Sequence, residues 1–560
     1  MNIRDRRHCY SGGMSVRGYT DRMAVAAKFI PPSQARLQRL ISHGYFPNEL
    51  PPPFTTADYG KYAADFAAKW NGKQKRKFWT APESYSVPRY GHARRKLSIV
   101  NPINQLHVAH LISANWRSIR KRLTRSAITE FDPKIVLKGP GRAVTGVNFD
   151  GVARRKAEIL GSYGRYVKTD IARFYPSVYT HAIPWSILGR AYCKANQNTT
   201  QFKASFANLL DKAVAAGQEG QTIGIPIGPD TSRILSELIA VEVEEIAKSH
   251  IPDLDDRSVR YVDDMLIGLK ETETPSDILS GLSLALYDFE LELNAEKTVT
   301  LGMGCAHAPE WIHYIRTFQM NSKASWQRDD LDSFFEQAIY LADANSRENV
   351  LFFAVKRAAS FSIDPSNNAH LVRWMLYAAR RSPSCIRFVA EHFAAVHTTS
   401  ALPNAEIESY ILQQVPLKAK AVHTDELAWL LFWAREIGLK ITASTLASVT
   451  KLRSSVVALL TLDLQQRGLV DGPLNLSFWQ NFATADGLKS EMWMVAYEAT
   501  KKGWWSPKLP SGFVSGHPFF GDLWNKDVEF YDVKMKARKS VKSPFLTKSF
   551  AAGIGLSFYE

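Results

Sequence analysis

Tyr261-Val262-Asp263-Asp264 is the run in this chain best suited to chemistry. It sits within residues 257–269, where β-branched and apolar residues flank a polar pair, and the spacing predicts strand, tight turn, strand. Two adjacent carboxylates at such a tip repel each other unless a cation neutralises them. Mg²⁺ takes oxygen ligands and couples them to phosphates. Arg165-Tyr-Val-Lys-Thr-Asp170 supplies a third carboxylate. Period-two alternation puts Tyr166, Lys168 and Asp170 on one strand face and Val167, Thr169 and Ile171 on the other. If this strand pairs with the acidic hairpin, Asp170, Asp263 and Asp264 meet at one sheet edge. Two divalent ions held there could clamp an attacking 3′-oxygen and a leaving pyrophosphate. Lys297, in Leu293-Asn-Ala-Glu-Lys297-Thr298, is read as closing a helix, where it could protonate the departing pyrophosphate or, equally, be a solvated lysine favoured by the helix dipole.

Between the two acidic elements lies Gly224-Ile-Pro-Ile227-Gly228-Pro, followed by a predicted helix whose N-terminus is placed at Ser232. Glycines let backbone approach a ligand closely, and a helix N-terminus favours an anion. Leu235, Leu238, Ile239 and Ile246 form the apolar stripe of that helix, with Glu237, Glu242 and Glu245 mostly off it.

The wider chain has 560 residues, 45% of them hydrophobic, and a formal charge of +16. That length predicts roughly three or four domain-sized units. The basic excess favours a polyanionic partner, most simply nucleic acid. Cations are dense from Lys73 to Lys156, with Trp79, Tyr85 and Tyr90 interleaved, a mixture that suits a nucleic-acid groove. Arg117 to Arg125 reads equally well as a solvated helix face. Cys9, Cys193, Cys305 and Cys385 lie far apart, which argues against a zinc site or a disulfide framework and fits a reducing, cytoplasmic setting. No apolar run is long enough for a bilayer, and the N-terminus lacks a signal core. Beyond about residue 325, helical spacing runs through 331–353, 371–379, 386–396, 427–437 and 456–462, which suggests a solenoid or bundle. A Pro-, Gly- and aromatic-rich stretch with a basic run follows from Gly503.

The ordered series Arg94-Arg95-Lys96-Leu-Ser-Ile99, Asp170 with Phe174-Tyr175-Pro-Ser177, Gly224 to Pro229, Tyr261-Val-Asp-Asp264 and Asn294-Ala-Glu-Lys297 resembles the motif series of reverse transcriptases over roughly residues 85–320. The resemblance implies an α+β fold. Right-hand polymerase fingers and palm (antiparallel sheet with helices) precede an all-α, helical-repeat-like C-terminal domain. The implied boundaries are an N-terminal segment at 1–45, fingers at 46–165 and palm with a fingers insertion at 166–320. The helical domain covers 321–500 and an aromatic and basic tail 501–560. It further implies that Arg95 and Lys96 grip a dNTP triphosphate and that Asp170, Asp263 and Asp264 bind Mg²⁺. Tyr175 would be the aromatic gate against a ribose 2′-OH. Ile227, before Gly228, stands where most such enzymes carry Gln. An Ile-Gly-Pro version, with His43-Gly-Tyr-Phe46, a triple proline and a helical C-terminal half, is similar to bacterial abortive-infection and defence-associated reverse transcriptases. That group implies antiphage defence, homo-oligomers, and DNA synthesis that needs no external template and starts on a protein tyrosine. Tyr10 and Tyr559 are the candidate primers. The alternatives are a template-copying, retron-like enzyme with a dedicated RNA, and a polymerase-shaped nucleic-acid-binding scaffold whose catalysis is vestigial.

Overall fold

Alternation builds the central sheet. The computed structural model describes residues 31–70, 78–303, 309–397 and 402–537. Strands β1 (Glu83–Pro88) and β2 (Arg94–Ile99) form an antiparallel hairpin. Strands β3 (Phe131–Ile135) and β4 (Val144–Val147) form a second one, interrupted by a bulge. A four-stranded sheet takes the order β6-β7-β5-β8, all antiparallel, from β5 (Arg165–Asp170), β6 (Ser258–Tyr261), β7 (Asp264–Leu269) and β8 (Val299–Gly302). As the period-two pattern predicts, Val167 and Ile171 enter the main apolar core. Tyr166 points the other way, into a small second cluster with Val259, Tyr261 and Leu266. Val152 and Ile159 of the helix Phe149–Ser162 complete that cluster, so both sheet faces are covered.

Beyond residue 320 the described residues are mostly helical, and the expected all-α character is broken by one short parallel pairing of Ile441–Thr442 with Val470–Asp471. Helices Gln327–Ala344, Val350–Ala358, Asn368–Arg381, Ser384–Val396, Thr424–Ile437 and Ser455–Gln466 contain the apolar spacings of the sequence. The helix Asn404–Lys420 went unpredicted, because Pro416 sits inside it. Proline removes a helical N–H and ordinarily breaks the pattern, but here tertiary packing of Ile407, Tyr410, Ile411 and Val415 overrides it. Among the described residues no helix is long and apolar enough to cross a membrane.

The stretch after Gly503 folds back across the molecule. Trp504, Trp505, Phe530 and Tyr531 are buried. Thr55 N–H donates to Phe530 O at 3.0 Å, and Asp532 N–H donates to Pro53 O at 2.8 Å. Phe530 packs among Phe46, Tyr59, Trp493 and Tyr497. The described C-terminal end therefore closes on residues 46–59.

The hairpin β1–β2 docks on the helical half through buried polar groups. Glu83 Oε1 accepts from Ser454 Oγ at 2.7 Å and from Val456 N–H at 3.2 Å, at the start of the helix Ser455–Gln466. Burial outweighs these bonds and pushes the Glu83 carboxyl up from 4.5 to about 7. A carboxyl whose folded pKa is raised contributes stability that is complete below pH 4.5 and lost as pH rises through 7. Glu83→Gln keeps the acceptor oxygen and removes the charge. We expect its unfolding free energy, from denaturant titrations, to gain on wild type between pH 5 and pH 8, by up to about 3 kcal/mol. A constant difference across that range would refute the assignment.

Candidate active site

The acidic hairpin forms as its sequence predicts, and β5 pairs with it so that Asp170 and Asp264 are directly opposed Cα partners. Both are nearly excluded from solvent, at 2% exposure. Asp263 is more open, in the two-residue turn between β6 and β7. The three carboxylates thus come from two neighbouring strands at one end of the sheet. Burial, then the charge of Asp170, pushes Asp263 up from 3.8 to about 6, against the opposing pull of Lys297 and Arg95. Burial and the charges of Asp263 and Asp170 push Asp264 up well above the usual carboxylate range. This is an electrostatic state that an added cation would relieve.

Lys297 Nζ donates to Asp170 Oδ2. The predicted helix end at this lysine is not observed. The helix Pro275–Tyr287 stops ten residues earlier. Residues 292–294 instead run along the sheet: Leu293 bridges Ile171, Ala172 N–H donates to Glu292 O at 2.8 Å, and Asn294 N–H donates to Asp170 O at 2.7 Å. Lys297 and Thr298 then turn back on Asn294 O, at 3.1 and 3.0 Å, before β8 begins. Leu293, read as part of a helix end, is instead a pairing residue of this extended segment.

The turn itself is held under strain. Val262 has φ of 58°, in the left-handed region that β-branched residues avoid. Arg260 pins it. Its Nη1 donates to Val262 O at 2.7 Å, while Nη1 and Nη2 reach Glu237 Oε2 and Oε1 at 3.0 and 2.6 Å. Its Nε donates to Glu244. All three side chains are buried. Glu237, placed mostly off the apolar stripe in the sequence, is therefore a buried anion and not part of a solvated face. Sequence reasoning missed this triad, although an arginine inside an apolar strand and two glutamates seven apart on one helix were the available signals.

The glycine-bearing loop packs against β2. Ser98 N–H donates to Ile227 O at 2.8 Å. Gly228 has φ of 128°, and a Cβ there would stand 2.8 Å from Pro47 Cγ. The following helix, Asp230–Ala247, begins at Asp230 and not at Ser232. Asp230 is itself the anion at that helix start: it is fully buried, bonded to Arg142 Nη2 at 2.8 Å and to Val144 N–H at 2.9 Å. Arg142 Nη2 also donates to Gly228 O at 2.7 Å, which ties loop and helix together.

Tyr175 lies on the short helix Phe174–Ser177, just past Asp170, and its hydroxyl accepts from Ser236 Oγ at 2.9 Å. Arg95 is the second residue of β2, within electrostatic reach of Asp263. Lys96 is solvent-exposed on the same strand. Tyr10 and Tyr559 lie outside the described residues. Other expected nucleic-acid contacts are reassigned. Tyr85 is fully buried and donates to Asp425 Oδ1 at 3.0 Å. Arg120, on the helix Trp116–Leu123, pairs with Asp132, and Arg125, just past that helix, pairs with Glu242 and Glu245 at 2.7 and 2.8 Å, so part of that basic run is consumed internally. Trp79 remains 62% exposed.

Among the described residues no group of three or more His, Cys, Asp or Glu side chains closes into a ligand cage. The donor set nonetheless suits magnesium: three carboxylates, hard oxygen donors, two of them nearly buried and all mutually repelling. The ammonium of Lys297 supplies the neutralising charge at Asp170.

No family model and no curated protein matches the chain. Among solved structures, apo telomerase from Candida tropicalis aligns with a TM-score of 0.31 at 11% identity, covering 76% of this chain and 76% of that one. Telomerase from Candida albicans in complex with the TWJ fragment of telomeric RNA aligns with a TM-score of 0.27 at 11% identity, covering 72% of this chain and 68% of that one. At such scores the architecture has to be argued from the residues of this chain.

Proposed function

We propose that this chain is a reverse-transcriptase-like nucleotidyl transferase that adds dNTPs to a hydroxyl, either a 3′-OH or a protein tyrosine. One observation carries the reading: Asp170 and Asp264 are cross-strand partners, with Asp263 beside them in the connecting turn. Asp170, Asp263 and Asp264 would hold magnesium, which when bound supplies charge neutralisation for the phosphates and acidifies the attacking hydroxyl. The remaining work belongs to the chain. Arg95 and Lys96 bind the triphosphate and orient it along β2. Tyr175, fixed through Ser236, limits the space beside the sugar. Lys297 carries the proton that the departing pyrophosphate takes. Catalysis on this plan is alignment and electrostatics, with little covalent chemistry from the protein.

Ile227 offers no side-chain hydrogen bond to a template–nucleotide pair, which supports synthesis that does not copy faithfully. The reading extends to a role in antiphage defence, carried by the motif series quoted above. Its test is incubation of purified protein with magnesium and each dNTP separately, with and without template and nuclease. Expected is protein-linked DNA from a preferred dNTP without template, and no product from Asp263→Ala/Asp264→Ala. Equal product from that double variant would overturn the reading.

If Tyr175 is the sugar gate, Tyr175→Val should raise ribonucleotide over deoxynucleotide use by roughly ten- to a hundred-fold. Competition between labelled ATP and dATP measures it; an unchanged ratio would remove the tyrosine from that role.

A further inference from the structure

The strand that carries Arg95 is held from the far half of the chain. In the hairpin, Ser86 N–H donates to Thr424 Oγ1 at 2.8 Å and Tyr85 hydroxyl to Asp425 Oδ1 at 3.0 Å. Arg94, the immediate neighbour of Arg95, makes a bidentate pair with Glu426, at 2.9 and 2.6 Å. Thr424, Asp425 and Glu426 are successive residues in the first turn of the helix Thr424–Ile437, and Glu426 is fully buried. On its other side, β2 is fixed by the bond from Ser98 N–H to Ile227 O. A hairpin with one strand bonded to a distant helix and the other to the glycine-bearing loop has little freedom to swing. A bidentate arginine–carboxylate pair fixes orientation as well as distance.

We propose that the first turn of the helix Thr424–Ile437 is a positioning element of the nucleotide site, holding β2 so that Arg95 faces the acidic hairpin before any nucleotide arrives. This rests on the nucleotidyl-transfer reading above. The fingers hairpin is then pre-set, and nucleotide affinity depends on residues more than 300 positions away in the chain, as the 332-residue separation of Arg94 and Glu426 illustrates. Preorganisation of this kind acts on binding, because the ordering of β2 is completed before the ligand is met. Thr424, Asp425 and Glu426 touch no substrate, and their effect travels through Arg94 and the β1 backbone.

The test uses full-length Glu426→Gln, which keeps the shape and removes the charge, and Thr424→Val, which removes only the acceptor for Ser86 N–H. Steady-state addition of dATP and hydrogen exchange of the amides of residues 94–99 are read on each. Expected is a KM for dATP raised about ten-fold with kcat within about two-fold of wild type. Hairpin amides should lose protection at least about ten-fold, while those of residues 165–170 keep theirs. Wild-type KM with wild-type protection in both variants overturns the proposal. So does a fall in kcat at unchanged KM, which marks a merely structural role. Wild-type protein that neither binds nor adds dATP overturns the nucleotidyl-transfer reading itself, a result visible before either variant is made.

Discussion

Asp264→Asn should abolish nucleotide addition, by at least about 10³-fold in rate, and at the same time make the protein more stable. The two effects share a cause. Asp264 is buried beside two other carboxylates, and burial followed by the charges of Asp263 and Asp170 raises its pKa well above normal. A raised folded pKa means that the contribution to stability falls as pH rises, since the ionised form is the disfavoured one. Asparagine has the same shape and no charge to disfavour. The same logic applies to Asp263, which shifts from 3.8 to about 6 and stands partly open to water. Asp263→Asn should gain about 1–2 kcal/mol after solvent screening, absent below pH 4 and complete above pH 6. Thermal melts in chelator from pH 4 to pH 8 check the stability arm. Adding magnesium should raise the wild-type midpoint and leave that of Asp264→Asn where it was. An Asp264→Asn protein that is less stable than wild type, or still active, would contradict the assignment of these carboxylates to a cation site.

The largest stability loss is expected at Arg260. Arg260→Met removes the cation from between Glu237 and Glu244 and leaves two buried carboxyls with no counter-charge. Breaking a buried pair in this way costs about 3–5 kcal/mol, far more than the pair is worth against an apolar replacement. The triple change Arg260→Met, Glu237→Leu, Glu244→Met should recover most of that loss in a denaturant titration. It should not recover activity, because Val262 O loses the donor that fixes the strained turn. Full activity in the triple variant would show that the turn holds itself.

How much of this was legible beforehand depends on the range of the contacts involved. Asp170, Asp263 and Asp264 could be placed because strand alternation and a polar pair at a turn are local signals. Their meeting needed one strand pairing, β5 with β7, and that pairing is present. Lys297 was put at the end of a helix, whereas the preceding Leu293 bridges Ile171 at the end of β5, a pairing that no local window displays. Tyr85 looked like a stacking ring among cations. Its burial is decided by Asp425, 340 residues later, which no window of sequence displays. Arg120 and Arg125 read equally well as nucleic-acid cations or as a solvated helix face, and neither reading displays their acidic partners on neighbouring elements. Buried charges are the general blind spot, since a charged residue reads as solvent-facing until its counter-ion is located.

The bonds between residues 53–55 and 530–532 have a consequence for biosynthesis. Ribosomes emit a chain from its N-terminal side, and Phe46 and Tyr59 rest against Phe530, which emerges long after them. Until then the early half presents unsated greasy surface to the cell, an invitation to chaperones and to clumping. A chain stopped upstream of Phe530 therefore leaves Phe46 and Tyr59 without that covering ring.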